Sequence, residues 1–330
     1  MKKLLGLILV IAMVLSMGLS ATAEEGLKVA VVLSGTTGDR SFYDSANEGL
    51  QALVASDLGI QGTLIECKND ASMFTTNLIA AAEDNDIVIA VGWEFWDALT
   101  EYAPQLPDTK FIFIDNGLDG VGDNLMSITY AQNEGSFLVG YIAGKLTQTG
   151  MIGAVGGEDS ETINDFIVGY EVGAAYARED CTVQVQYAGT YDDPAKGKEL
   201  ALALYDAGCD IVFQVSSRTG EGVFEAAAER GLYAIGVDSD QKYINPDVII
   251  CSMIKQVNLS IEQAVTAYAT EGSWMGGQIW VADMATGLID VGYGDDTMVQ
   301  QVSDELKAEV EEIKAQIING EIEVPTAFAG

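Results

Sequence analysis

The sequence predicts an α/β protein: two three-layer α/β/α domains with parallel-type sheets, joined by three crossovers. Three observations predict it. From Lys28 onward, short runs of β-branched and other apolar residues recur, nearly free of polar interruptions, as strands buried on both faces require. Amphipathic stretches of helix length separate them, so strand and helix alternate. The alternation restarts after residue 130 and divides the chain into two units of one kind. At 330 residues there is room for about two domains of ~100–200 residues each.

In the first unit the strands are KVAVVLS (28–34), TLIECK (63–68), DIVIAVG (86–92), KFIFID (110–115) and NLMSITY (124–130). Helical stretches over 42–57, 73–84 and 94–104 fall between them. The second unit opens with a helix over 133–148, followed by MIGAVGG (151–157), a helix over 162–178 and TVQVQYAG (182–189). A helix over 195–207, DIVFQV (210–215), a helix over 220–230, YAIGVD (233–238) and VIICSMI (248–254) complete it. The tail holds a helix over 257–271, two short strands, QIWVAD and GLIDVGY, and a charged helix over 302–318. Too long for a linker and too short for a domain, this tail is used fully if it returns a helix to the first unit and strands to the second. Crossings are expected near 128–132, 252–257 and 280–290, giving lobes of 24–129 with 256–282 and 130–255 with 283–330.

Residues 1–23 read as a signal peptide, with Lys2 and Lys3, an apolar run from Leu4 to Leu15 and a small-residue site at Ala21 and Ala23. The run is shorter than the ~20 residues a membrane span needs. An exported protein, periplasmic or extracellular and associated with the cell envelope, is expected. No cysteine near the cleavage site could take a lipid. Without the leader, 14 basic side chains stand against 50 acidic ones, a net charge of −36. Nucleic acid and anionic membrane are thereby excluded as partners, since phosphate binding needs clustered Lys and Arg. The absence of histidine removes every His-based triad and every His metal ligand. Cys67, Cys181, Cys209 and Cys251 lack the close spacing of a metal site. Four cysteines allow three pairings, but each lies in or beside a strand, where a free thiol packs as a small hydrophobe.

The residues just past each strand form a set. Asp39 and Phe42 follow the first, Trp93 and Trp96 the third, and Asp115 ends the fourth. In the second unit Phe166 follows MIGAVGG, SSRTGEG with Arg218 and Gly220 follows DIVFQV, Asp238 and Asp240 end YAIGVD, and Lys255 ends VIICSMIK. Open α/β sheets bind ligands outside the carboxyl ends of their strands, so these charges read as groups of an interdomain cleft. Stacking rings with a few directional polar groups suit a planar, neutral, hydroxylated ligand such as a nucleoside. Carboxylates favour its hydroxyls and repel phosphate. Each residue also has a structural reading: Asp39 as a helix cap, Phe42 or Phe166 as core, Lys255 with Asp238 as an ion pair between domains. SSRTGEG and AVGGED match neither phosphate-loop pattern and read as turns and caps. No cofactor motif is present, and Asp238 with Asp240 lacks a partner nucleophile.

At these residues the sequence resembles the basic membrane protein, or PnrA-like, family of ABC transporter substrate-binding proteins, several of which bind purine nucleosides. The segments that carry the resemblance are KVAVVLSG…DRSFYDSANEGL, AVGWEFWDALTEYAPQLPDTKFIFID, NLMSITYAQNEGSFLVGYIAGKLTQTGMIGAVGG, GTYDDPAKGKELALALYDAGCDIVFQV and AIGVDSDQ…SMIKQVN. They run in order over residues 28 to 260. The resemblance implies a periplasmic-binding-protein type I fold of two Rossmann-like domains, an ABC permease as partner, no cofactor and a monomer. By motif position, Phe42 and Phe166 correspond to the two rings that sandwich the base, and Asp115 to the carboxylate that reads it. Asp238 and Lys255 correspond to ribose contacts, Gly220 to a close backbone approach, and Asp39 to the acidic position before SF. Two residues depart from the pattern. Tyr43 stands where the family has asparagine, a donor of different reach, and SSRTG replaces a small GGTG-like turn, placing Arg218 in or at the rim of the cleft. The implied function is an exported receptor for a purine nucleoside. Another heteroaromatic solute (a nucleobase or a flavin), a sensory receptor and a nucleoside hydrolase are the alternatives.

Overall fold

The computed structural model describes residues 26–328; the leader expected over 1–23 lies outside them. Strands β1 (Lys28–Leu33), β2 (Gln61–Glu66), β3 (Ile87–Val91), β4 (Lys110–Ile114) and β5 (Leu125–Tyr130) belong to one sheet. Strands β6 (Met151–Gly156), β7 (Thr182–Tyr187), β8 (Ile211–Val215), β9 (Tyr233–Asp238) and β10 (Ile249–Lys255) belong to a second. Two tail strands, β11 (Ile279–Ala282) and β12 (Ile289–Gly292), complete them. The orders are β11-β5-β4-β3-β1-β2 and β12-β10-β9-β8-β6-β7, the same topology twice. All pairings are parallel except β10 with β12. Residues Val29 to Leu33 and Ile87 to Val91 are wholly buried, as strands covered by helices on both faces must be. The edge strands β2 and β7 interleave Gln61, Thr63, Gln184 and Gln186 and are partly exposed.

The helices are α1 (Phe42–Ala55), α2 (Ala71–Asp84), α3 (Trp96–Tyr102), α4 (Gln132–Leu146), α5 (Glu161–Ala177), α6 (Pro194–Asp206), α7 (Glu221–Arg230), α8 (Val257–Glu271) and α9 (Asp304–Ile318). The stretch over 94–104 is shorter as an α-helix than expected. It starts with a 3-10 turn after Gly92 and ends in another at Pro104, which has no N–H to continue the ladder. The chain passes between the sheets at Ala131, at Gln256 and over 283–288. The two tail strands divide between the sheets, as a lobe bound at residue 282 implies, and do not both join the second unit as the simplest use of the tail suggests. Helix α8 packs on α1, where the Asn258 backbone lies against Gly49, and β11 extends the first sheet beside β5. Only β12 and α9 go to the second, α9 through Glu309 accepting from Tyr141 and Lys145 of α4.

Two features of the second lobe hold the elements that reach the cleft. Strand β10 has an irregularity between Ile249 and Ser252, and the freed carbonyls of Ile249 and Ile250 accept from the buried Lys242 ammonium at 2.9 and 3.0 Å. Helices α4 and α5 meet through glycines. A Cβ at Gly140, Gly169 or Gly173 would lie 2.0–2.3 Å from a carbonyl oxygen of the facing helix. Gly173→Ala must therefore part α4 from α5, at a cost of about 1–3 kcal/mol for overpacking. Urea unfolding should show a lower midpoint with an unchanged slope; an unchanged midpoint would mean that the helices separate freely.

Candidate functional site

The carboxyl ends of β1, β3 and β4 face those of β8, β9 and β10 across a cavity of about 630 Å³ including its open mouth. Seven of the ten residues expected at the site line it: Phe42, Tyr43, Trp93, Asp115, Phe166, Asp238 and Lys255. Phe42 opens α1 in one lobe, and Phe166 lies on α5 of the other, 2% exposed. Trp93, 50% exposed, stands at the mouth.

Lys255 is the centre of charge in the cavity. Its Nζ donates to Asp115 Oδ1 at 2.5 Å, a pair that crosses from β10 to the end of β4, and the side chain is 2% exposed. The ammonium also lies 5.0, 4.9 and 5.2 Å from the ring centres of Phe42, Tyr130 and Phe166. Three π-faces thus hold a desolvated cation, which cation–π attraction favours most when water is excluded. Asp115 and Asp238 end β4 and β9, equivalent strands of the two sheets, and both have a positive φ, 78° and 64°. Non-glycine residues rarely adopt that backbone, and aspartate is among those that tolerate it best. Asp238 accepts from the Ser41 hydroxyl of the other lobe. Burial pushes its carboxyl up to about 6, against the pull of Lys255 and Ser41, while Asp115 and Asp39 push it further up.

Three expected residues lie off the cavity lining. Asp39 is a cap: its carboxylate accepts from the backbone N–H of Ser41, Tyr43 and Asp44 at the start of α1, and from the Ser217 hydroxyl of the second lobe at 2.8 Å. Burial raises its pKa and these donors lower it, leaving a net rise. Arg218 turns to the surface and pairs with Asp192 at 2.8 Å, because the 3-10 turn Ser217–Gly220 points it outward. Gly220 does allow a close approach, but of Gln214: an added Cβ would lie 1.9 Å from Gln214 Oε1. Gln214 in turn donates to Gln241 at 2.7 Å, and Gln241 donates to the Arg40 carbonyl of the other lobe at 3.0 Å.

The Tyr43 hydroxyl shares a 2.9 Å hydrogen bond with Ser34 at the end of β1, and burial holds it protonated. Glu94, Tyr191, Ser216 and Ser217 also line the cavity, and none of them is expected by its own number, although SSRTGEG stands in the strand-end set. Ser216 and Ser217 follow β8 as Gly92 and Trp93 follow β3, so the strand-end rule that found Trp93 reaches them too. Among the described residues, no group of three or more Cys, Asp or Glu side chains is placed to hold a metal ion, and no helix is long and apolar enough to cross a membrane. All four cysteines are free thiols, three of them buried.

A family model described as ABC transporter substrate-binding protein PnrA-like matches residues 27–327. Basic membrane protein A2 of Borrelia garinii is 34% identical over 98% of this chain and 96% of its own length. The ABC transporter nucleoside-binding protein BmpA of Lactococcus lactis is 32% identical over 94% of this chain and 92% of its own. Among solved structures, an ABC transporter solute-binding protein from Aeropyrum pernix superposes with a TM-score of 0.81 at 26% identity, covering 91% of this chain and 94% of that one. The two-sheet architecture is that of periplasmic-binding-protein type I solute-binding proteins.

Proposed function

The chain belongs to the PnrA-like family of ABC transporter substrate-binding proteins, and from that premise we propose that it is an exported, monomeric receptor that captures a purine nucleoside and delivers it to an ABC permease. The observation that carries this reading is a cavity lined by Phe42 of one lobe and Phe166 of the other together with Asp115, Asp238 and Lys255, with the Lys255 ammonium over both rings. Planar rings suit a heteroaromatic base, and buried carboxylates suit ribose hydroxyl donors. The nucleoside-binding name of the Lactococcus relative supports the same ligand class. Three carboxylates, Glu94, Asp115 and Asp238, against one ammonium disfavour a phosphorylated ligand.

In this reading the lobes, residues 24–129 with 256–282 and 130–255 with 283–330, close on the ligand. Contacts suited to that closure run from the 39–41 segment to the second lobe: Asp39 with Ser217, the Arg40 carbonyl with Gln241, and Ser41 with Asp238. Excluding water strengthens every hydrogen bond inside. The protein then acts as a receptor and not as an enzyme. Mass spectrometry of ligand released from freshly purified protein, followed by titration calorimetry, tests this. An intact purine nucleoside, saturable binding of nucleosides and no binding of nucleoside monophosphates are expected. No saturable nucleoside binding, or recovery of free base and ribose after incubation, would overturn the reading.

A further inference from the structure

Three carboxylates line the cavity, and two of them already have a polar partner from the facing lobe. Lys255 engages Asp115, and the Ser41 hydroxyl engages Asp238. Glu94 Oε2 is buried and makes no hydrogen bond. Buried polar atoms are seldom left without a partner, and one left so costs its full desolvation. Its place is built by the turn after β3. Gly92 has φ 118°, and a Cβ there would meet Glu94 Oε2 at 2.4 Å and Ser34 Oγ at 2.3 Å. The glutamate thus folds back over its own turn towards Ser34 and lines the cavity. Burial raises the pKa of its carboxyl against the pull of its own backbone and of the nearby Ser34 hydroxyl, and Glu158 and Asp115 add like charge, so the ligand-free protein holds this charge at a cost that a further donor would offset.

Beside it, Ser34 Oγ and the Tyr43 hydroxyl form their 2.9 Å pair, in which either can be the donor. An acceptor next to a hydroxyl donor complements a ligand edge with a donor next to an acceptor. The N1–H and O6 of a 6-oxopurine form such an edge. Adenosine puts a bare N1 lone pair where the 6-oxopurine has its N–H, and a carboxylate repels it. We propose that Glu94 is the specificity-determining residue of the site, accepting from N1–H of a 6-oxopurine nucleoside while the Tyr43 or Ser34 hydroxyl donates to O6. The inference rests on the nucleoside reading and narrows it. It adds Glu94 as a reader of the base beside Asp115, whose Oδ1 already accepts from Lys255.

Titration calorimetry of guanosine, inosine and adenosine against the wild type and Glu94→Gln tests it, with melting of both ligand-free proteins as the folding control. Glutamine keeps the volume and removes a buried charge, so the variant should fold. The wild type should bind guanosine and inosine at least ~10-fold tighter than adenosine, as sites with a dedicated polar partner discriminate. Glu94→Gln should weaken the first two by ~10–100-fold and change adenosine by less than ~3-fold, as loss of a charged hydrogen bond predicts. Equal losses for all three nucleosides, or no loss, would overturn the role of Glu94 while leaving nucleoside binding intact. Failure of the wild type to bind any nucleoside would instead overturn the functional reading, and this one with it.

Discussion

Asp238→Asn is expected to melt higher than the wild type without ligand and to bind nucleoside far more weakly. The two effects share one cause. Burial raises the Asp238 carboxyl from its ordinary 3.8 to about 6. Because the folded-state value lies above the unfolded one, the contribution of this group to stability is complete below about pH 4 and is lost as pH rises through about 6. At neutral pH the free protein therefore holds the carboxylate at a cost on the order of 3 kcal/mol. Asparagine removes that cost, and it is tolerated at the positive φ of 64° where alanine is strained. The functional loss follows from the same charge. Hydrogen bonds to charged acceptors contribute about 1.5–3 kcal/mol against ~0.5–1.5 for neutral ones, so two ribose donors should lose roughly 10–100-fold in affinity. In the wild type, ligand donors favour the charged carboxyl, and affinity should climb between pH 5 and pH 7; in the variant most of that slope should vanish. Calorimetry at several pH values, with thermal melts of both proteins, measures all of this. A variant that melts lower, or binds as tightly as the wild type, would remove Asp238 from the binding role.

How much of this could be read beforehand depends on whether a residue's job is local. The central strands were legible because burial on both faces leaves an uninterrupted apolar run such as Val29 to Leu33. Phe42, Asp115, Phe166, Asp238 and Lys255 were legible because a strand end in an α/β sheet opens onto the cleft. Asp39 obeys the same rule and yet faces its own helix. An aspartate three residues before a helix can cap it or face a ligand, and only the path of residues 39–41 decides. Arg218 and Gly220 were misplaced by longer-range pairing. Asp192, 26 residues away, draws the arginine to the surface, and the Gln214 side chain takes the space beside the glycine. The strand pattern by itself does not divide the two tail strands, for a similar reason. β11 and β12 are equally short, and which sheet each joins depends on the edge left free beside β5 or β10.

Lys255→Met should be the most damaging single change in the cleft, and its damage should depend on pH. Methionine keeps the length and the apolar stem but takes away the only cation that the described residues bring to the cavity lining, leaving Asp115 and Asp238 without it. Removing one partner of a buried ion pair costs about 3–5 kcal/mol because the other charge stays desolvated. That loss should grow as pH rises and be smallest at pH 5: burial pushes Asp238 up to about 6 even against the pull of Lys255, so without the lysine it takes up a proton at a still higher pH and relieves the repulsion. Lys255→Arg should not restore the site. Ring centres at 4.9–5.2 Å leave room for a compact ammonium, and a planar guanidinium demands more. Thermal melts at the two pH values, with nucleoside titrations of each variant, separate the possible roles. Full stability of Lys255→Met at pH 7.5 with binding alone lost would make the ammonium a ligand contact and nothing more. The expected combination, a pH-dependent loss of stability that saturating nucleoside does not repair, would make the bond from β10 to β4 a latch between the lobes. A ligand entering between Phe42 and Phe166 must then compete with the rings' existing cation, so its affinity reports the difference between two closed states.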